Sequence, residues 1–135
     1  MSAHAALLFA NESFYQAFLD RDMALMEALW AHSAGVSCIH PGWPVLSDRC
    51  EVMKSWSEIL ANPQAPKIKC RAPLAHQMGE IGYVVCYEEI ANTLLVATNV
   101  FVREDQQWRI SHHQAGPCQR WPDDLPECEP LPQVQ

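Results

Sequence analysis

Residues 83–102, YVVCYEEIANTLLVATNVFV, decide the architecture. Two apolar runs, Tyr83–Ile90 and Leu94–Val102, are separated by Ala91-Asn92, and both are rich in the β-branched and aromatic residues that favour strands. Runs of this length joined by a short turn predict an antiparallel hairpin. Both runs are almost continuously apolar, which predicts burial on both faces. One face would lie under helices. In a chain of 135 residues the other would lie against a second copy, so a homodimer through the sheet face is expected.

The same two-residue period extends outward from this hairpin. Upstream, Gly79 and Gly82 bracket a turn that leads back to Lys67–Ala72, where Ile68, Cys70 and Ala72 alternate with Lys67, Lys69 and Arg71. That alternation predicts a strand with one buried face and one basic, wet face. Downstream, Glu104-Asp105-Gln106-Gln107 supplies a turn into a last strand, Trp108–Ala115. Before residue 63 the period is close to 3.6. Leu7, Leu8, Phe14, Tyr15, Phe18 and Leu19 mark a first helix, and Asp22 caps a second whose face is Met23, Met26, Leu29 and Trp30. Val36–His40 reads as a short β segment stopped by Pro41-Gly42. Asp48 and Glu51 form a capping-box pattern for a third helix burying Val52, Trp56, Ile59 and Leu60, which ends at Asn62-Pro63. The order predicts an α+β domain over residues 1–117, with three N-terminal helices packed on a mainly antiparallel sheet. Residues 118–135, rich in proline and acid, read as an extended arm with Trp121 as its anchor.

Composition narrows the function. With 49% hydrophobic residues the chain can bury a core without staples. A formal charge of −7 and nine scattered Lys and Arg residues argue against nucleic acid or a membrane surface as partner. No stretch approaches the roughly 20 apolar residues of a membrane span. Met1–Ala10 shows no basic segment followed by a long apolar run, so a cytoplasmic protein with reduced thiols is expected. The six cysteines, at 38, 50, 70, 86, 118 and 128, form no C-x-x-C pair and read as buried structural thiols. No cofactor is expected, because no glycine has the spacing of a phosphate-binding loop for ATP or a dinucleotide, and without a Gly-x-Ser-x-Gly elbow nucleophilic catalysis has little support.

Two motifs add a family resemblance. Trp108-Arg109-Ile110-Ser111-His112-His113-Gln114-Ala115-Gly116-Pro117 resembles the closing strand of SnoaL-like proteins and of the association domain of calcium/calmodulin-dependent protein kinase II. Val36–Trp43 resembles the segment in which ketosteroid isomerase carries its general base before a proline. Together with the element order, these place the chain in resemblance to the nuclear-transport-factor-2-like superfamily over Leu7–Pro117. The resemblance implies a cone-shaped, cystatin-like α+β roll with an internal pocket. Carried over by position, it puts His40 at the base, Asn99 at the acidic oxyanion donor and Phe14 at the oxyanion tyrosine, with Tyr15 one residue away. Phe14 has no hydroxyl, and His40 and Asn99 replace acids.

The candidate catalytic residues are therefore His40 and Asn99, with Phe14, Tyr15, Trp43, Trp56, His112 and Gln114 as ligand-binding candidates. An imidazole at the mouth of an apolar pocket titrates in the range useful for proton transfer. His40 equally reads as a strand-end histidine bonded to backbone, and Trp43 and Trp56 as plain core. In strict alternation His112 and His113 face opposite ways, and Trp108, Ile110, His112 and Gln114 share the face assigned to the pocket. Cys38 and His40 share a face but are too few for a closed zinc site, which takes about four ligands, so no metal is expected. Two functions follow. One is a pocket protein for a small hydrophobic or aromatic ligand, with isomerase, hydratase or hydrolase chemistry. The other is a noncatalytic association module.

Overall fold

The computed structural model describes residues 3–126. Its elements run α1 (Ala3–Asp20), α2 (Met23–Leu29), β1 (Ser37–Ile39), α3 (Arg49–Ala61), β2 (Lys69–Met78), β3 (Ile81–Ile90), β4 (Thr93–Glu104) and β5 (Gln107–Pro117). Strands β2 to β5 form the expected meander. Each connection is a two-residue turn, and Asp105 and Gln106 (φ 52° and 65°) both take the left-handed conformation that matches the twist of a tight hairpin. Gly79 (φ 64°) serves the first turn. Gly82, expected at that turn, instead lies within β3, where Leu7 of α1 presses on the backbone.

The short β1 joins the sheet as a fifth strand. It runs parallel to β5, pairing Cys38 with His113, and gives the order β1-β5-β4-β3-β2. The helices cover one face. Leu7, Phe14, Met26, Trp30, Val52 and Trp56 meet the inward-facing Val84 and Cys86 of β3 and Ala97 and Phe101 of β4 in a single core.

Local chemistry sets the helix ends. Asp22 and Asp48 accept from the N–H groups of Leu25 (3.0 Å) and Glu51 (2.8 Å), satisfying donors that the first turn leaves free. α1 stops in a Schellman arrangement, with Asp22 N–H on the Ala17 carbonyl, Arg21 N–H on that of Phe18, and Arg21 itself at φ 55°. Arg49 then closes α2 by donating to the carbonyls of Glu27, Trp30 and Ala31. These contacts fix where β1 begins, and with it His40.

Two bulges depart from strict alternation. In β2 the pairing slips between Arg71 and Leu74, at Ala72 (φ 52°) and Pro73. A proline without an N–H is tolerated there because β2 is an edge strand. The basic, wet face predicted for Lys67–Ala72 holds at Lys67 and Lys69, which are exposed, and fails at Arg71. Arg71 is only 8% exposed; it bonds Glu89 at 2.5 Å and donates to the carbonyls of Leu125 and Pro126, drawing the arm across β2 and β3. Trp121, expected to anchor the arm, is 44% exposed. The second bulge lies in β5, where Val100 pairs with His112 but Phe101 with Ile110, leaving Ser111 as the extra residue. Among the cysteines, Cys38, Cys70 and Cys86 are buried thiols, whereas Cys50 is exposed and Cys118 half-buried. Cys128 and the arm beyond residue 126 lie outside the described residues. Within them no helix is long and apolar enough to cross a membrane.

Candidate functional site

A cavity of about 320 Å³ opens between α1, α3 and the sheet. Phe14, Tyr15 and Phe18 enter from α1, Trp56 and Ile59 from α3, Glu88 and Ile90 from β3, Leu95 from β4 and His113 from β5. His40, Pro41 and Trp43 follow β1. Among the described residues no lysine or arginine lines it, so a mainly apolar wall meets two imidazoles and one carboxyl. Trp56 is the hub of the wall: the rings of His40 (4.8 Å), Phe14 (5.4 Å), Phe18 (5.8 Å) and His113 (6.0 Å) surround it.

Hydrogen-bond directions assign protons to these groups. Ser55 has one hydroxyl proton and donates it to the Val52 carbonyl at 2.7 Å. Its oxygen therefore accepts from His40 Nε2–H at 2.9 Å, leaving the lone pair of the neutral ring on Nδ1. Among the described residues Nδ1 has no partner nearer than the Cys38 sulfur, 3.9 Å away. Burial lowers His40 to a pKa of about 4. His113 drops to about 3, through burial first and then the charges of His40 and His112, so both rings are neutral near pH 7. Tyr15 donates to Glu88 Oε2 at 2.6 Å. Burial raises the Glu88 carboxyl above the usual carboxylate range, against the opposing effect of the Tyr15 bond. Cys38 is pushed up to about 12 by burial and by Glu88, so its thiol carries no thiolate nucleophile.

The profile of the SnoaL-like domain family matches residues 8–117. The chain belongs to that family. Among solved structures, this SnoaL-like chain is similar to a candidate dehydratase of the NTF2-like family from Streptomyces avermitilis, at 32% identity and TM-score 0.79, over 87% of this chain and 96% of that one. It is also similar to a candidate calcium/calmodulin-dependent protein kinase type II association domain from Thiobacillus denitrificans, at 29% identity and TM-score 0.68, over 82% and 93% of the two chains. A candidate ketosteroid isomerase from Shewanella frigidimarina shares the fold at 17% identity and TM-score 0.71, over 82% and 94%. No curated protein matches the chain. The α+β, cystatin-like architecture expected from the sequence is the one this chain shares with solved proteins of cystatin-like fold.

Within the SnoaL-like cavity the sequence-derived candidates divide. His40, Phe14, Tyr15, Trp43 and Trp56 line one space, with Trp43 at the rim, 43% exposed. Asn99 lies fully buried behind that wall, donating to Asn11 Oδ1 (2.8 Å) and Tyr15 Oη (3.1 Å) and accepting from His113 at 2.5 Å. His112 and Gln114 are not among the lining residues. Ser111, the bulged residue, reverses the phase of β5, so that His113 and Ala115 turn inward, His112 bonds Ser37 at 2.6 Å and Gln114 is exposed. His113 and Glu88 went unread in the sequence. Glu88 was open to discovery, since Val84, Cys86 and Glu88 share one phase of an apolar strand and an acid on that phase has to be buried. His113 was hidden by the bulge. Among the described residues no group of three or more His, Cys, Asp or Glu is placed to hold a metal ion.

Proposed function

We propose that this SnoaL-like domain is a cofactor-independent acid–base enzyme that removes water from, or isomerises, a small uncharged carbonyl compound. The observation that carries this reading is one apolar cavity holding a buried carboxyl with a raised pKa beside two neutral imidazoles. A neutral carboxyl is a hydrogen-bond donor, and a neutral imidazole offers a lone pair. In the proposed reaction Glu88 donates to the substrate carbonyl oxygen while His40 Nδ1 takes the proton from the adjacent carbon, giving an enol-like intermediate. His40 then returns that proton to a β-hydroxyl. The C–O bond breaks, water leaves, and the C=C bond forms with the histidine neutral again. Returning the proton to another carbon would give isomerisation instead. The relative named a candidate dehydratase supports the first outcome.

The test is a panel of aromatic β-hydroxy ketones followed by enone absorbance, with His40→Ala and Glu88→Gln as variants. General acid–base groups contribute about 10²–10⁴-fold, so each variant should lose at least about 100-fold in kcat. Turnover unchanged in both would remove this site from the chemistry.

Association belongs to the same proposal. Leu74 (57% exposed), Ile81 (45%) and Val96 (46%) lie on the sheet face away from the helices, a surface suited to a second copy. The similarity to a protein named an association domain supports this. Residues 118–135 act in it as an arm appended to the 1–117 domain. Sedimentation at micromolar concentration should show a dimer, and a species of 15.3 kDa alone would refute it.

A further inference from the structure

The amide of Asn99 touches both chemical ends of the cavity without lining it. Toward one end its Nδ2 donates to Tyr15 Oη at 3.1 Å and to Asn11 Oδ1 at 2.8 Å. Tyr15 donates its one proton to Glu88 Oε2, 2.6 Å away, and its oxygen meets the Cys86 thiol at 3.2 Å as well as the Asn99 amide. Toward the other end Asn99 Oδ1, having no proton to give, lies 2.5 Å from His113 Nδ1, which must therefore be the N–H of the ring. His113 Nε2, the atom left with the lone pair, has no hydrogen-bond partner among the described residues, and neither does Glu88 Oε1. A single buried amide, pinned at both nitrogen and oxygen, thus sets the tautomer of His113 and holds the phenol oxygen of Tyr15.

We infer that Asn99 is a positioning residue that fixes His113 in its Nδ1–H tautomer and holds the Tyr15 phenol beside Glu88, so that the cavity always presents an imidazole acceptor at His113 Nε2 in the space that Glu88 also lines. This builds on the acid–base reading above and deepens it. The ligand it selects carries a hydroxyl to donate to His113 Nε2 and a carbonyl to accept from Glu88. It is not a carboxylate or phosphate, for which the wall offers no cation. Asn99 does this by acting through its neighbours and not by touching the ligand, unlike the oxyanion donor whose position it occupies in sequence.

The amide is also what the site needs on electrostatic grounds. A carboxylate in its place would hold a second proton on His113 and abolish the acceptor, since a neighbouring anion favours the imidazolium. The titratable groups around His113 are His40 after β1, Tyr15 on α1 and Glu88 on β3, which line the cavity with it, His112 beside it on β5 and Cys38 paired opposite it on β1, with Cys86 behind Tyr15. Packed from α3 is Trp56, which does not titrate.

The tautomer can be read directly in the unliganded protein, from two-bond ¹H–¹⁵N correlations of the imidazole nitrogens at pH 7. In the wild-type protein His113 should show a protonated Nδ1 and an unprotonated Nε2. In Asn99→Asp both nitrogens should become protonated, with the ring's titration moved to above the pH of the measurement. Asn99→Leu should lose the single tautomer and show averaged shifts. A wild-type His113 carrying its proton on Nε2, or an unchanged spectrum in Asn99→Asp, would overturn the inference even if the enzyme is active. Conversely, the expected spectra with no turnover on any carbonyl compound would leave the assignment standing and defeat only the proposed reaction. The wild-type measurement needs no variant to fold.

Discussion

Leu7 of α1 sits directly on Gly82 of β3: a Cβ built on that glycine would stand 2.6 Å and 2.7 Å from the two Leu7 methyls. Leu7 is wholly buried and has nowhere to withdraw. Gly82→Val should therefore destabilise the fold by about 1–3 kcal/mol, the usual range for overpacking a filled core. Urea unfolding checks this, and an unchanged midpoint would show that α1 can lift from the sheet freely.

Ser55 gives His40 its acceptor and so determines which nitrogen is basic. Ser55→Ala strands a buried N–H and should reduce stability by about 1–3 kcal/mol. Ser55→Thr, which keeps the hydroxyl, should recover most of the loss. Equal losses in the two variants, measured by chemical denaturation, would mean that the hydroxyl matters only for packing in α3.

The buried histidines make the protein sensitive to acid. Their folded pKa values, about 4 for His40 and about 3 for His113, lie below the ordinary 6.5, so the unfolded chain takes up protons first as pH falls. Their contribution is complete above pH 6.5 and is lost as pH drops toward 4 and below. The slope is up to about 1.4 kcal/mol per pH unit for each ring. Denaturation midpoints between pH 7 and 4 should fall, and His113→Gln should flatten the decline.

Glu88 has the opposite sign. Its folded pKa is raised, so the native state holds a proton that the unfolded chain has already released, and stability is lost as pH rises from about 4.5 through the folded value. Glu88→Gln, which mimics the neutral acid, should be at least as stable as the wild type at pH 8. It should also leave the histidine-driven acid decline steeper. A variant less stable at pH 8 would indicate a carboxylate in the native site.

Much of this was legible from residue order because period and turn chemistry are local. The switch from a 3.6-residue to a two-residue period after Pro63, the capping aspartates 22 and 48, and the left-handed pair Asp105-Gln106 each act within a few residues. The partnership of Cys38 with His113 was not legible, because a three-residue strand carries no mark of where it docks. Nor was Glu88 joined to Tyr15, a contact spanning 73 positions that depends on how α1 lies across β3. The candidate site was half-read for the same reason. His40, Phe14, Tyr15, Trp43 and Trp56 came from motifs and helical spacing, whereas the roles of Asn99 and His113 depend on contacts among α1, β4 and β5.

Ser111, the unpaired residue of β5, works as a phase shifter. Ahead of it Trp108 and Ile110 serve the core; behind it His113 and Ala115 do, so one strand keeps two different schedules. Deleting that single residue would restore strict alternation with Ile110 still opposite Phe101 and His112 still opposite Val100, so His113 would stay inward and β1 would keep the alignment of Cys38 with His113. The identity of the inward histidine is thus set by the bulge itself: the same eleven-residue strand paired without it would turn His112 inward instead.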